Sequence, residues 1–278
     1  MKILITGCNG MFAADLIRAL EAENELVGRD VHDADICDRE AIINEIGKIK
    51  PDWVINCAAY TQVDNCEAEK DLAYAVNAEG VRNLAMGCRA VGSLLCHIST
   101  DFVFDGSKNS SYDESDPVNP LSVYGRSKLQ GEQYIQEILK DFLIVRTSWL
   151  FGPAGKNFVA TIRKLCQERE VLEVVDDQTG SPTFTRDLAA AVQRLMDVSA
   201  RGIFHVCNSG ACTWFGFAGK ICELTGGRAK VVPVSSVKNP RPAVRPAYSV
   251  MNCSRFEKTT GQVLRHWEDA LQEYLEPG

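Results

Sequence analysis

The chain has no apolar run approaching the ~20 residues that a membrane-spanning helix needs, so a helical membrane anchor is not expected in it. It has no surplus of positive charge either. Thirty Lys and Arg stand against 37 Asp and Glu, giving a net charge of -7 and a pI near 5.3. That balance argues against nucleic acid or an anionic membrane as the main partner, although a local pocket can still take an anionic small molecule. Among the eleven cysteines, at 8, 37, 57, 66, 88, 96, 166, 207, 212, 222 and 253, no C-x-x-C pair occurs. Their number is odd and several lie in apolar runs such as Val54-Ile55-Asn56-Cys57-Ala58. Buried free thiols are therefore expected, with no structural metal site. A secretory leader pattern is lacking too, because Met1-Lys2-Ile3-Leu4-Ile5-Thr6-Gly7 runs straight into a glycine turn. The expected compartment is cytoplasmic.

What is present is ordinary globular composition over 278 residues, 45% hydrophobic and 24% charged. Short β-branched runs at 2–6, 26–29, 53–56, 94–98 and 143–146 read as strands. Amphipathic stretches at 11–23, 39–49, 72–91 and 122–139 read as the helices between them. Such alternation predicts an α/β fold, a Rossmann-type doubly wound parallel sheet with ligands at the carboxyl ends of its strands. After Arg146 the pattern weakens, with helices expected at 158–169, 186–198 and 214–225 and near 266–275. The reading is a dinucleotide-binding domain over 1–150. Residues 151–278 form a smaller, mainly substrate-binding region packed on it and not folding independently.

Gly7-Cys8-Asn9-Gly10-Met11-Phe12-Ala13 joins the first strand to the first helix with the spacing G-x-x-G-x-x-A. Gly7 suits the tight turn, and Gly10 lets the backbone approach a pyrophosphate at the helix N-terminus. Asp30, about twenty residues on, is placed for the adenosine ribose. Arg29 beside it tolerates a 2′-phosphate, which leaves NADH versus NADPH open. Asp35 and Ile36 offer one polar and one apolar group to the adenine, and Ala58-Ala59-Tyr60 follows the third strand where small residues let a cofactor cross the sheet edge.

Tyr124 and Lys128 stand four residues apart, on one face of a helix. A nearby ammonium is expected to bring the phenol's pKa, ordinarily ~10, down toward working pH. Ser99-Thr100-Asp101 directly follows the fourth strand and supplies a hydroxyl to the same crevice. Hydroxyl, phenol and ammonium together are the groups needed to protonate an alkoxide while hydride reaches its carbon.

With these motifs in order, the chain resembles the extended short-chain dehydrogenase/reductases and, within them, the dTDP-4-dehydrorhamnose reductase family. The matching stretches run nearly end to end: Asn56 to Asp64, Ile98 to Gly106, Tyr124 to Glu132, Arg146-Thr147-Ser148-Trp149, Asp177-Gln178-Thr179-Gly180-Ser181-Pro182-Thr183 and Arg245-Pro246. The resemblance implies NAD(P)H-dependent reduction of the 4-keto group of a nucleotide sugar, with Tyr124 as proton donor, Lys128 its partner and Thr100 tuning it. Thr100, Asp101 and Trp149 would contact the sugar. Gly10, Met11 and Phe12 would hold the pyrophosphate, and Asp30, Asp35, Ile36, Ala59, Tyr60 and Thr61 would line the rest of the cofactor. Phe102 follows Asp101 where dehydratases of this fold carry Glu, which argues for plain reduction. Two other readings stay open: a reductase or epimerase of another nucleotide-linked 4-keto sugar, and a non-catalytic, cofactor-binding regulatory subunit. Some members of the family use magnesium at a dimer contact, and no acidic cluster here demands it. The expected assembly is a monomer or homodimer.

Overall fold

The computed structural model describes residues 1–276. Its central sheet has six parallel strands: β1 (Lys2–Thr6), β2 (Glu25–Arg29), β3 (Trp53–Asn56), β4 (Leu94–Thr100), β5 (Phe142–Thr147) and β6 (Gly202–His205). Their spatial order is β6-β5-β4-β3-β1-β2. The chain steps outward from β1 to β2, then returns to build the sheet on the other side. That reversal between β1 and β3 opens a crevice at the carboxyl ends of the strands. Thr6 is in register with both Arg29 and Asn56. The glycine loop, Asp30 and Ala58 therefore leave the sheet at one point.

Both faces of the sheet are covered, which is why its inner strands read as continuous apolar runs. Ile3, Ile5, Ile55 and Val145 face α1 (Met11–Leu20), together with a helix from the second half, Thr185–Asp197. Leu4, Val54, Leu95 and Ile144 point the other way. They meet α2 (Arg39–Ile49), α3 (Val81–Val91) and α4 (Val123–Ile138). The side-chain period of two along each strand sorts the residues between these layers. Ser122 starts α4 by accepting a hydrogen bond from the Gly125 backbone at 3.1 Å, which fixes where the first turn, and hence Tyr124, begins.

The structure departs from the sequence reading in three places. The sixth strand, Gly202–His205, comes from the half in which alternation faded, so the sheet crosses residue 150. The helix expected over 72–91 is broken into Lys70–Tyr74, a π-helical segment Ala75–Gly80 and α3. Third, not all the thiols are free: Cys166 and Cys222 form a disulfide between helices Phe158–Glu168 and Trp214–Leu224. A separate apolar cluster lies around that bridge, built on Phe151, Val159, Phe184 and Phe217. Beside it the segments Val171–Val175 and Lys230–Val234 pair in parallel. No helix among the described residues is long and apolar enough to cross a membrane.

Candidate active site

At the crevice, Gly7 holds a φ of 67°. A Cβ there would lie 2.6 Å from the Ala58 backbone nitrogen, so the approach of the two loops requires glycine. Gly10 begins α1 with no side-chain cap and no acidic residue in the first turn. The helix's positive end and free N–H groups are thus unopposed, as a pyrophosphate requires. Met11 is half-buried and Phe12 is buried in the core, so these two positions offer the loop's backbone. Asp30 braces the turn, accepting hydrogen bonds from the backbone N–H of Asn9 at 3.1 Å and of Val31 at 2.8 Å. Arg29 is held by Glu45, with Nη2 2.7 Å and Nε 2.8 Å from one carboxylate oxygen.

Asp35 is half-buried and accepts from Cys37 N–H at 2.8 Å. The Ile36 side chain is packed in the core with Ile42 and Ile46, and its carbonyl accepts from Asn83 Nδ2 at 2.9 Å. Ala58 and Ala59 line the end of β3, half-buried, and Thr61 is exposed. Tyr60 directs its hydroxyl to Glu69. Its backbone is clamped by Asn77 of the π-helical segment, at 2.9 Å and 3.0 Å.

Tyr124 and Lys128 project from α4 toward the end of β4. Lys128 is 2% exposed, and its Nζ donates to the Ile98 carbonyl at 2.7 Å and lies 3.1 Å from His97 Nε2. Burial lowers the lysine's pKa to about 8, with Glu132 and Cys57 pulling the other way. The Tyr124 ring meets Phe102 edge-on at 5.6 Å. Burial, with a smaller push from Asp101, raises its phenol well above the ordinary value, against a hydrogen bond with Thr100 that pulls it down. The expected lowering by Lys128 is therefore not found: the ammonium is directed at β4. A phenol kept protonated suits a proton donor. Thr100 donates to Asp101 Oδ1 at 3.1 Å and accepts from Phe102 N–H at 3.2 Å. Asp101 is 2% exposed, and its Oδ2 has no hydrogen-bond partner among the described residues. Burial raises that carboxyl to about 6. Ser99 turns away to Glu132, which is itself paired with Arg146 at 2.6 Å in the core.

A cavity of about 950 Å³ lies beside this cluster, lined on that side by Phe102 and Ser249 and not by Thr100, Tyr124 or Lys128 themselves. Trp149 stacks on Trp214 with ring centroids 3.5 Å apart, and both line the cavity with Phe158 and Gln178. Trp149 holds a left-handed φ of 47°, a conformation that aims its indole over Gly180. Arg241 and Arg245 bring positive charge to the same wall, Arg245 paired with Asp64 at 2.9 Å. Asp177 caps no helix. It accepts from the Ser235 hydroxyl at 2.7 Å and the Ser236 backbone at 2.8 Å, holding the loop that closes one side. Among the described residues no three His, Cys, Asp or Glu side chains converge as metal ligands.

Sequence reasoning missed His97, Asn56, Asn77, Trp214 and Ser249. A signal existed for the first two. A histidine inside Leu94-Leu95-Cys96-His97-Ile98 and an asparagine ending β3 are polar groups on fully buried strands, and each has to find a partner.

The model of the RmlD substrate binding domain family matches residues 1–278. A dTDP-4-dehydrorhamnose reductase from Streptomyces griseus is 42% identical, over 97% of this chain and 91% of its own. The structure of a dTDP-4-dehydrorhamnose reductase from Clostridium acetobutylicum superposes with a TM-score of 0.97 at 44% identity, covering 99% of each chain. That of the Bacillus anthracis dTDP-4-dehydrorhamnose reductase, in complex with NADP, gives 0.96 at 39% identity over 98% of each.

Proposed function

The chain belongs to the RmlD substrate binding domain family, and from that premise we propose that it reduces the 4-keto group of dTDP-4-dehydro-L-rhamnose to dTDP-L-rhamnose with NADH or NADPH, a step of nucleotide-sugar biosynthesis. The observation that carries this reading is the Thr100–Tyr124–Lys128 cluster next to an aromatic, arginine-bearing cavity that Phe102 and Ser249 help to line, with a helix N-terminus left open for a pyrophosphate.

Gly7, Gly10 and the backbone of Met11 and Phe12 cradle the pyrophosphate. Asp30, Asp35 and the Ile36 backbone border the adenosine half, and Ala58, Ala59, Tyr60 and Thr61 border the nicotinamide half, where Tyr124 and Lys128 also reach. NADH or NADPH held there would supply hydride to the carbonyl carbon. Tyr124, held in its acid form by burial, gives its proton to the carbonyl oxygen, a contribution of ~10²–10⁴ in rate for a positioned general acid. Thr100 would turn its hydroxyl from Asp101 Oδ1 to the phenol oxygen as negative charge develops there, and the nearby Lys128 ammonium would stabilise that charge. The unpartnered Oδ2 of Asp101 accepts from a sugar hydroxyl, a role for which a buried, unsatisfied oxygen is poised. Trp149 lays an aromatic face against the deoxysugar. With Phe102 in the next position there is no second acid to expel a hydroxyl. The half beyond residue 150 supplies most of the substrate contacts. The working state is a cytoplasmic monomer or homodimer.

The test is NADPH oxidation with dTDP-4-dehydro-L-rhamnose against its GDP- and UDP-linked counterparts. Preference for the dTDP sugar supports the proposal. Faster turnover of another nucleotide sugar replaces the substrate, and no turnover of any, with a co-purifying enzyme, favours the regulatory subunit.

A further inference from the structure

The cavity wall between Ser236 and Ser249 is a strap with no helix or strand of its own. At one end Asp177 accepts from Ser235 and Ser236. At the other, Ala247 and Ser249 each share a 2.8 Å backbone hydrogen bond with Thr179. The tie between those ends comes from the first half of the chain. Asp64 Oδ1 accepts from Arg245 Nη1 at 2.9 Å and Oδ2 from Nη2 at 3.0 Å, a two-pronged pair between residues 181 positions apart. The same carboxylate accepts from the Ala243 backbone N–H at 3.3 Å, and Arg241 stands 3.8 Å from it. The Arg245 hydrogen bonds hold the Asp64 carboxyl below its ordinary pKa, so it carries its charge at working pH. Arg245 Nη1 also donates to the Ala243 carbonyl at 2.9 Å, which makes the arginine a strut within the wall.

Asp64 lies in the short helix Val63–Ala68, which begins two residues after Thr61. Three residues on, and so a neighbour on the helix surface, Glu67 accepts from the Val123 backbone N–H at 2.8 Å. Val123 opens α4 and precedes Tyr124. Cys66, between the two acids, is buried in one cluster with Val123, against which Tyr60 and Tyr124 pack. A single helical turn therefore holds the substrate-side wall through Asp64 and the helix that carries Tyr124 through Glu67.

We propose that Asp64 is a positioning residue for the nucleotide sugar: by tying Arg245 and Ala243 to the short helix that also holds the first turn of α4, it sets the cavity wall at a fixed distance from Tyr124. The inference rests on the reading of that cavity as the nucleotide-sugar site. Asp64 acts through the wall and not on the reacting atoms. Charge and position then predict opposite signs. By charge alone, removing an acid from beside a pocket for an anionic nucleotide tightens binding. With Asp64 as an anchor, its removal lets the wall drift and weakens binding.

The first test needs no assumed reaction. Hydrogen exchange on the full chain compares wild type with Asp64→Asn, and faster exchange confined to residues 237–246 is expected. Unchanged exchange in that segment overturns the proposal. So does faster exchange throughout the sheet, which marks a fold loosened as a whole. In steady-state kinetics Asp64→Asn should raise the KM for dTDP-4-dehydro-L-rhamnose about fivefold, the size of one well-formed ion pair at a partly exposed site. Its kcat and its KM for NADPH should stay near wild type. Arg245→Gln is the opposite change of charge and should raise the same KM, and the double variant should exceed the worse single by no more than about twofold, because both cut one tie. A KM lowered by Asp64→Asn follows charge alone, and a uniform loss of kcat marks general damage; either overturns the proposal. The confined exchange pattern without turnover of any dTDP sugar by the wild type would count against the substrate reading and leave the tie standing.

Discussion

Arg29 stands beside Asp30, the residue proposed to border the adenosine ribose, and Glu45 already holds its guanidinium through two nitrogens. The pairing withdraws the charge that would meet a 2′-phosphate, and this is the reason the dipeptide Arg29-Asp30 leaves NADH and NADPH undistinguished in the sequence. Glu45→Gln should release Arg29 and raise the NADPH-to-NADH ratio of kcat/KM by up to about tenfold, the equivalent of one charge-assisted hydrogen bond of ~1.5 kcal/mol. An unchanged ratio would place the phosphate elsewhere. Tyr124 and Lys128 were legible because four residues on a helix are a fixed geometry. Which way the lysine points was not, since that depends on His97 and the Ile98 carbonyl, both on another element.

Among the elements, the inner strands of the first half were legible because each is an apolar run buried on both faces, while β2, Glu25–Arg29, lies partly exposed at the sheet edge. The missed strand, Gly202–His205, is four residues at the sheet edge, too short to show a period. The π-helical segment was hidden for a different reason. Its residues, Ala75-Val76-Asn77-Ala78-Glu79-Gly80, keep a helical apolar pattern, while the widened turn serves a tertiary need, bringing Asn77 to both backbone groups of Tyr60. The bridge between Cys166 and Cys222 could not be read from spacing either, since 56 residues separate the two and only the packing of their helices brings the Cα atoms to 5.9 Å. Closing a loop of that size stabilises by at most about 4 kcal/mol in the chain-entropy account. Cys166→Ser, or strong reductant on the wild type, should lower Tm by several degrees. The reductant should have no further effect on the variant. A wild-type Tm indifferent to reductant would mean the bridge does not form in solution.

For the whole molecule, the site is a cost to folding. Lys128 has a folded pKa of about 8 against an ordinary 10.5. Below pH 8 both folded and unfolded chains carry the proton, and the fold bears the full cost of burying it. From pH 8 to 10.5 the folded chain releases the proton first, so this group's penalty falls away as pH rises. Lys128→Met should therefore unfold at higher urea than wild type at pH 7, by up to about 3 kcal/mol, with the gap narrowing toward pH 10. A gap independent of pH would mean that the variant's effect is packing alone. Two or three kcal/mol is a sizeable share of a marginal total, and it is the kind of instability that sites retain for function.

The same cluster decides the reaction. Tyr124→Phe removes one oxygen from a half-buried ring, keeps the edge-on contact with Phe102, and leaves the glycine cradle untouched. Turnover of dTDP-4-dehydro-L-rhamnose by this variant, set beside NADPH binding followed by fluorescence, is the most direct measurement. Tyr124 as proton donor requires kcat to fall by ~10²–10⁴ with the NADPH Kd within about twofold of wild type. Near wild-type turnover would contradict it.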